Sequence, residues 1–156
     1  MPAEGVPRDA YFQNYPVDMK QVMQQMIRTA AGLGLPFKPP ERVCNSRLAQ
    51  ELGLWAESQD RGEAFHAEVF RVFFVEGRNI GLRDVLLDMA AKAGLPPDGA
   101  RNVIDNRTFA PAVDTDWSLS RQLGITAVPT FVMNGRRLVG AQPYEALAKL
   151  VAGGVR

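Results

Sequence analysis

A proline at the start of a strand-like segment constrains this chain more than any other feature. Pro129 lies between Val128 and Thr130 and opens the apolar run 130–133. Because proline has no backbone N–H to donate to a sheet, it is tolerated at the first residue of a strand, at a bulge or at an edge. A cis X–Pro bond is usually retained for a purpose, and an ordinary trans proline that begins a strand is the alternative interpretation. We expect the turn to present backbone groups.

The residues after this proline predict a hairpin followed by a helix. Residues 130–133 and 136–139 flank Asn134-Gly135, the pair that favours a two-residue type I′ turn between antiparallel strands. A last helix is expected from Pro143 to about Val151, because its apolar residues share one face. The hairpin is expected to be the only sheet of the chain.

The residues before the hairpin predict helices only. Apolar residues recur at helical spacing in six segments, which lie between the turn signals at 32–34, 77, 94 and 124. The helices are expected at about 18–32, 46–56, 65–76, 82–93, 97–104 and 108–123. The pattern divides the chain into an extended lead-in at 1–17, a helical insertion domain at 18–123 and a C-terminal part at 124–156.

The composition excludes several classes of protein. Hydrophobic residues make up 46% and charged residues 22% of the 156 residues, which is typical of a globular domain. The net charge of +1 gives no reason to expect nucleic acid as a partner, and no apolar run is long enough to cross a membrane. The sequence starts without a signal-like segment and has one cysteine, so we expect a cytoplasmic protein.

Several short motifs follow one another in a consistent order. They are NSRLAQEL at 45–52, FH and VF within 65–70, FVEG at 74–77, NIG at 79–81, VPT at 128–130 and GAQP at 140–143. This set resembles the DsbA-like thiol-disulfide oxidoreductases of the thioredoxin superfamily, in their FrnE-type branch. The resemblance covers nearly the whole chain.

The resemblance implies an α/β, thioredoxin-like fold of the DsbA type with a large helical insertion. Val128, Pro129 and Thr130 are then the cis-proline loop, which holds an extended thiol- or disulfide-containing protein substrate in the manner of β-addition. In that family a strand, a helix opened by Cys-x-x-C and a second strand come first, and this unit is missing here. We therefore expect a truncated member, mostly helical with a C-terminal β-hairpin and final helix, that is inactive alone. A misassigned gene start, a deletion and a deliberate choice of segment all remain open.

Two other functions remain open. The glutathione-using kappa-type transferases and 2-hydroxychromene-2-carboxylate isomerases share this scaffold, and their reactive group also lies in the missing part. A non-catalytic helical module that self-associates is the third hypothesis. In the complete fold the strand 130–133 would pair with the missing first strand, and an unpaired edge is a template for another chain. We expect a homo-oligomer formed through this strand and through apolar helix faces.

The remaining chemically reactive residues give weak signals. Cys44 precedes a helix start, where a thiol can be mildly activated, although an unreactive packed thiol is the better interpretation. Glu63 and His66 form only half of a carboxylate-bridged metal motif. Asp114 and Asp116 are two residues apart and do not share a helix face. We predict no metal site, no cofactor and no catalytic residue within these residues. We expect Phe65, Phe70, Phe73 and Phe74 to be core residues, and a hydrophobic ligand groove is the alternative interpretation.

Overall fold

The fold was examined in a computed structural model that describes residues 1–2, 4–14, 16 and 18–153. The chain divides into two compact units, Met1–Val113 and Asp114–Arg156, and each is described by itself. The division falls inside the helix Ala110–Gln122, whereas the sequence pattern placed a boundary at 123/124.

The first unit is mostly helical, and its helices lie close to the expected positions. Its elements are β1 (Val6–Pro7), α1 (Arg8–Tyr11), α2 (Met19–Gly32), β2 (Arg42–Val43), α3 (Arg47–Ser58), α4 (Gly62–Arg71), a π-helical segment (Val72–Glu76), α5 (Arg83–Lys92), α6 (Pro97–Asn106) and the start of α7 (Ala110–Gln122).

Local signals explain where these helices begin and end. Asp18 caps α2, because its carboxylate accepts hydrogen bonds from the backbone amides of Lys20 and Gln21 at 2.9 and 3.3 Å. Pro97 occupies the first position of α6, where its missing N–H costs nothing. Gly77 ends the π-helical segment with φ of 68°, in the left-handed region that glycine adopts without strain.

A second sheet corrects two predictions. β1 and β2 pair antiparallel, with Val6 opposite Val43 and Pro7 opposite Arg42. The Arg42 guanidinium holds this pair, since Nε donates to the carbonyl of Glu4 at 2.7 Å and Nη2 donates to that of Gly5 at 2.9 Å. The C-terminal hairpin is therefore not the only sheet, and the lead-in is not uniformly extended because α1 lies within it. Contacts between residues so far apart in sequence leave no periodic signal.

The core of the first unit is formed by α3, α4, α5, α6 and the π-helical segment. The side chains with no measurable exposure are Leu52, Ala56, Phe65, Val72, Leu86, Met89 and Ala100. Helix α2 has the predicted apolar face but buries no residue completely. Met26 and Ile27 remain 39% and 43% exposed.

One carboxylate is buried within this core. The side chain of Glu51 is fully buried and accepts hydrogen bonds from Nε of Arg47 at 2.8 Å and from Nε and Nη2 of Arg107 at 2.8 and 2.6 Å. Arg47 also donates to the carbonyl of Ala110 at 2.9 Å. These hydrogen bonds, with those from Arg107 contributing most, lower the pKa of Glu51 against the opposing effect of burial.

Helices α3 and α6 approach closely where Gly99 faces Trp55. A β-carbon at Gly99 would lie 2.5 Å from Cζ2 of Trp55, a ring that is itself part of the core. Gly32 at the end of α2 differs, because a β-carbon there meets no atom within 4 Å among the described residues.

The second unit contains the hairpin and the last helix. Strands β3 (Thr130–Met133) and β4 (Arg136–Val139) pair antiparallel, with Thr130 opposite Val139 and Met133 opposite Arg136. Asn134 and Gly135 both have positive φ, 49° and 74°, as a type I′ turn requires. Helix α8 (Tyr144–Ala152) follows and buries Leu150. The predicted hairpin and final helix are confirmed.

We predict that Glu51→Gln lowers the free energy of unfolding by about 3 kcal/mol at neutral pH, because it removes the charged partner of two arginines in a buried cluster. The cluster also makes wild-type stability depend on pH. Its contribution is complete above the unfolded-state pKa of glutamate, about 4.3, and is lost as the pH falls through the lowered folded-state pKa. Urea unfolding at several pH values measures both effects.

The matched control for this prediction is Glu57→Gln on the exposed surface of the same helix. It should change the free energy of unfolding by less than about 0.5 kcal/mol. Equal stability of the two variants at neutral pH would show that the buried cluster contributes nothing.

We also predict opposite effects of two glycine substitutions. Gly99→Ala should destabilise the protein by about 1–3 kcal/mol, since the new methyl group overlaps the Trp55 ring. Gly32→Ala should stabilise it by about 0.4–1 kcal/mol, because it restricts the unfolded chain where the helix has room. Thermal and urea unfolding of both variants measure the difference, and a stabilising Gly99→Ala would contradict the close packing of α3 on α6.

Candidate functional site

The turn that precedes β3 is held in place from its first residue. α7 ends before Gly124, whose φ of 63° lies in the left-handed region. Arg137 of β4 donates from Nη1 to the carbonyl of Gly124 at 3.0 Å and from Nη2 to that of Leu123 at 2.5 Å. A guanidinium therefore satisfies carbonyl groups that the end of the helix leaves without an intrahelical partner.

The turn is also closed at its other end. The Val128–Pro129 peptide bond is cis, and the carbonyl of Pro129 accepts a hydrogen bond from the amide of Gly140 at 2.8 Å. The hydroxyl of Thr130 donates to the carbonyl of Ala127 at 2.6 Å. These contacts join the turn to both strands of the hairpin and fix the direction in which Val128 points.

Val128 is the exposed point of this turn. Its side chain is 89% exposed. Within the described part of the chain, no hydrogen bond engages its backbone amide or carbonyl. A backbone amide and carbonyl on a fixed, exposed turn can pair with an extended polypeptide in the manner of β-strand addition.

The adjoining strand offers a second unpaired element. β3 is hydrogen-bonded to β4 on one side, and no other strand among the described residues pairs with it. Phe131 and Val132 are 37% and 46% exposed on this strand. An apolar strand edge of this kind is a template for pairing with another chain.

Cys44 lies in the first unit, whereas the turn lies in the second. Its thiol is partly buried, and its Sγ lies 4.0 Å from the carbonyl oxygen of Arg42. Burial raises the pKa of the thiol, outweighing the lowering by the backbone of Ile80 and the charge of Arg42. This direction is opposite to the activation that a helix start would provide.

The other residues singled out from the sequence do not converge. Glu63, His66, Asp114 and Asp116 all have exposed side chains. Among residues 1–2, 4–14, 16 and 18–153, no three His, Cys, Asp or Glu side chains come together in a way that could hold a metal ion.

The first unit contains an apolar cavity, which the sequence analysis offered only as the alternative to a closed core. The cavity has a volume of about 340 Å³. The residues that line it include Met19, Met23, Met26, Phe37, Phe73, Phe74 and Cys44. A neighbouring groove of about 490 Å³ shares Met26, Phe37 and Phe74 and reaches Phe70.

The expectation that four phenylalanines belong to the core is correct for Phe65, which is fully buried, and in part for Phe73, which packs against the core. Phe70 is 63% exposed, and Phe73 and Phe74 are partly buried at the cavity wall. The helical spacing of apolar residues could locate this face but could not show that it is left open.

Comparison with known proteins gives consistent matches. The model of the DSBA-like thioredoxin domain family matches residues 1–152. The uncharacterised protein YwbO of Bacillus subtilis (strain 168) is 27% identical over 135 residues, which are 86% of this chain and 68% of that protein. The crystal structure of a probable DsbA oxidoreductase, SCO1869 from Streptomyces coelicolor, superposes with a TM-score of 0.80 at 27% identity and covers 95% of this chain and 67% of the other.

Among the described residues, none of the helices has both the length and the apolar character that crossing a bilayer requires.

Proposed function

Because this chain belongs to the DSBA-like thioredoxin domain family, we propose that it is the substrate-holding part of a scaffold for thiol-disulfide exchange. The observation that carries this proposal is the turn at Val128, a residue that is 89% exposed and is followed by Pro129 and Thr130, which are anchored by hydrogen bonds. In this proposal the turn pairs with an extended segment of a protein substrate that carries a thiol or a disulfide.

The chemistry of exchange determines what this chain can contribute. A thiolate attacks a disulfide sulfur to give a mixed disulfide and release one thiolate, and a second thiol then resolves the mixed disulfide. The chain has a single cysteine, and burial raises the pKa of that thiol, which reduces its thiolate fraction. We therefore propose that the exchanging thiols lie outside these 156 residues, and that Cys44 is not one of them.

The relatives favour exchange over the glutathione-using alternative. The matching structure from Streptomyces coelicolor carries the description of a probable DsbA oxidoreductase. The motifs at 45–48 and 140–143 support the same assignment, since they resemble the FrnE-type branch more closely than the kappa-type transferases.

We predict that the chain binds a short fluorescent peptide whose cysteine is alkylated, and that Thr130→Val raises the dissociation constant about fivefold. The reason is that valine keeps the shape but removes the hydroxyl that anchors the turn, a hydrogen bond worth roughly 1 kcal/mol. Fluorescence anisotropy measures the affinity, and alkylation excludes a covalent contribution.

Thr126→Val is the matched control, because Thr126 lies in the same segment and makes none of the hydrogen bonds described above. Absence of peptide binding, or equal weakening by both variants, would refute the role of the turn. Insulin reduction by the chain that disappears in Cys44→Ser would refute the assignment of the thiols.

A second proposal concerns self-association, and the unpaired edge of β3 supports it. We propose that two copies of the chain meet through this edge, with Phe131 and Val132 adding apolar area to the backbone pairing.

We predict that Val132→Lys shifts the chain toward monomer in sedimentation velocity, because a lysine on a strand edge opposes pairing with another chain. Leu119→Lys is the control, since Leu119 is similarly exposed on α7 and lies outside the strand. A wild-type protein that sediments as a monomer at every concentration would refute self-association.

A further inference from the structure

We propose that the cavity in the first unit is a binding site for a small anionic amphiphile, meaning a molecule with an apolar body and one negatively charged group. This site is independent of the proposed function, because the described residues that line it all belong to the first unit and none of them is in the turn at Val128.

The volume and the lining suit a small apolar body. About 340 Å³ is at the lower end of the range of roughly 300–1,000 Å³ found for ligand pockets. One α-helical turn with its side chains is about 10 Å across and 5.4 Å long, which is more than this volume holds. Met19, Met23 and Met26 of α2 form one wall, and methionine adapts to ligands of different shape.

The opposite wall is held in a fixed conformation. Phe73 and Phe74 belong to the π-helical segment, and their rings pack edge to face with centroids 4.8 Å apart. The carbonyl of Phe74 accepts a hydrogen bond from the amide of Lys38 at 2.7 Å. The side chains of Glu76 and Arg78 join the end of this segment to Asp88 of α5, with Arg78 and Asp88 at 2.8 Å. A π-helical turn within a helix is frequently found at a functional site.

The charges at the cavity determine the class of ligand. Arg8 and Arg42 line it, and no Asp or Glu is among the described residues of its lining. Arg42 donates to two backbone carbonyls, and within the described ranges no carboxylate forms an ion pair with it. Arg8 is 3.3 Å from Asp9, a carboxylate that is largely exposed to water. The result is an apolar chamber with positive charge at its wall, which complements an anionic head group.

The experiment compares a charged and an uncharged probe of the same shape. Anilinonaphthalenesulfonate carries a sulfonate that phenylnaphthylamine lacks, and fluorescence titration gives the affinity of each for the chain. We expect the sulfonate probe to bind roughly threefold to tenfold more tightly, which is the net contribution of one ordinary hydrogen bond in contact with water. Arg42→Gln should remove this difference, whereas Arg42→Lys, which disturbs the same two carbonyl contacts but keeps the positive charge, should retain it.

Two further variants locate the binding. Met23→Trp fills the cavity and should abolish the binding of both probes, whereas Arg28→Gln on the outer face of α2 should change neither affinity. Cys44 is the only cysteine and lines the cavity. Both probes should therefore slow its alkylation by iodoacetamide. Circular dichroism of each variant confirms that it is folded.

Three results would overturn the proposal. The first is equal affinity for the two probes in the wild-type chain. The second is probe binding that persists in Met23→Trp with no effect on the alkylation of Cys44, which would place the probe elsewhere. The third is a shift of Met23→Trp toward monomer in sedimentation, which would make a second copy of the chain the occupant of this cavity.

Discussion

The hydrogen-bonded carboxylate of Glu51 is the interaction on which the helical unit most depends. It joins α3 to Arg107 at the end of α6, and Arg47 extends the same cluster to the first residue of α7. Arg107 has a φ of 53°, a left-handed conformation that costs about 1–2 kcal/mol for a residue with a β-carbon. Helices commonly end with glycine in this conformation. Arginine is placed here because its guanidinium reaches a buried charge.

The sequence predicted the helices and strands that are determined by neighbouring residues. Helix positions followed from apolar spacing and from stops such as Gly77, and the hairpin followed from Asn134-Gly135. The predicted thioredoxin-like fold of the DsbA type is confirmed by the family match and by the solved structure. The sheet of β1 and β2 was missed because its stabilising contacts, made by Arg42, join residues far apart in sequence.

The same distinction between local signals and contacts of distant residues applies to the candidate sites. The motif around Pro129 could be found from the sequence because the constraint on proline acts on neighbouring residues. The cavity could not be found, because an apolar face on α2 predicts the same pattern whether it is covered or left open. The direction of the pKa shift of Cys44 could not be predicted either, since it results from burial of the thiol in the folded unit, which outweighs the lowering by the backbone of Ile80 and the charge of Arg42.

The hydrogen bond from Gly140 to the carbonyl of Pro129 has a consequence for how the second unit can vary. It joins Pro129, which precedes the strand residue Phe131, to Gly140, which follows Val139. The hairpin is therefore a loop whose two ends are held together. Extra residues at the tip, near Asn134, would extend into solvent and leave both ends where they are. A slip of one strand past the other would separate them, so the hairpin tolerates growth in length and resists displacement.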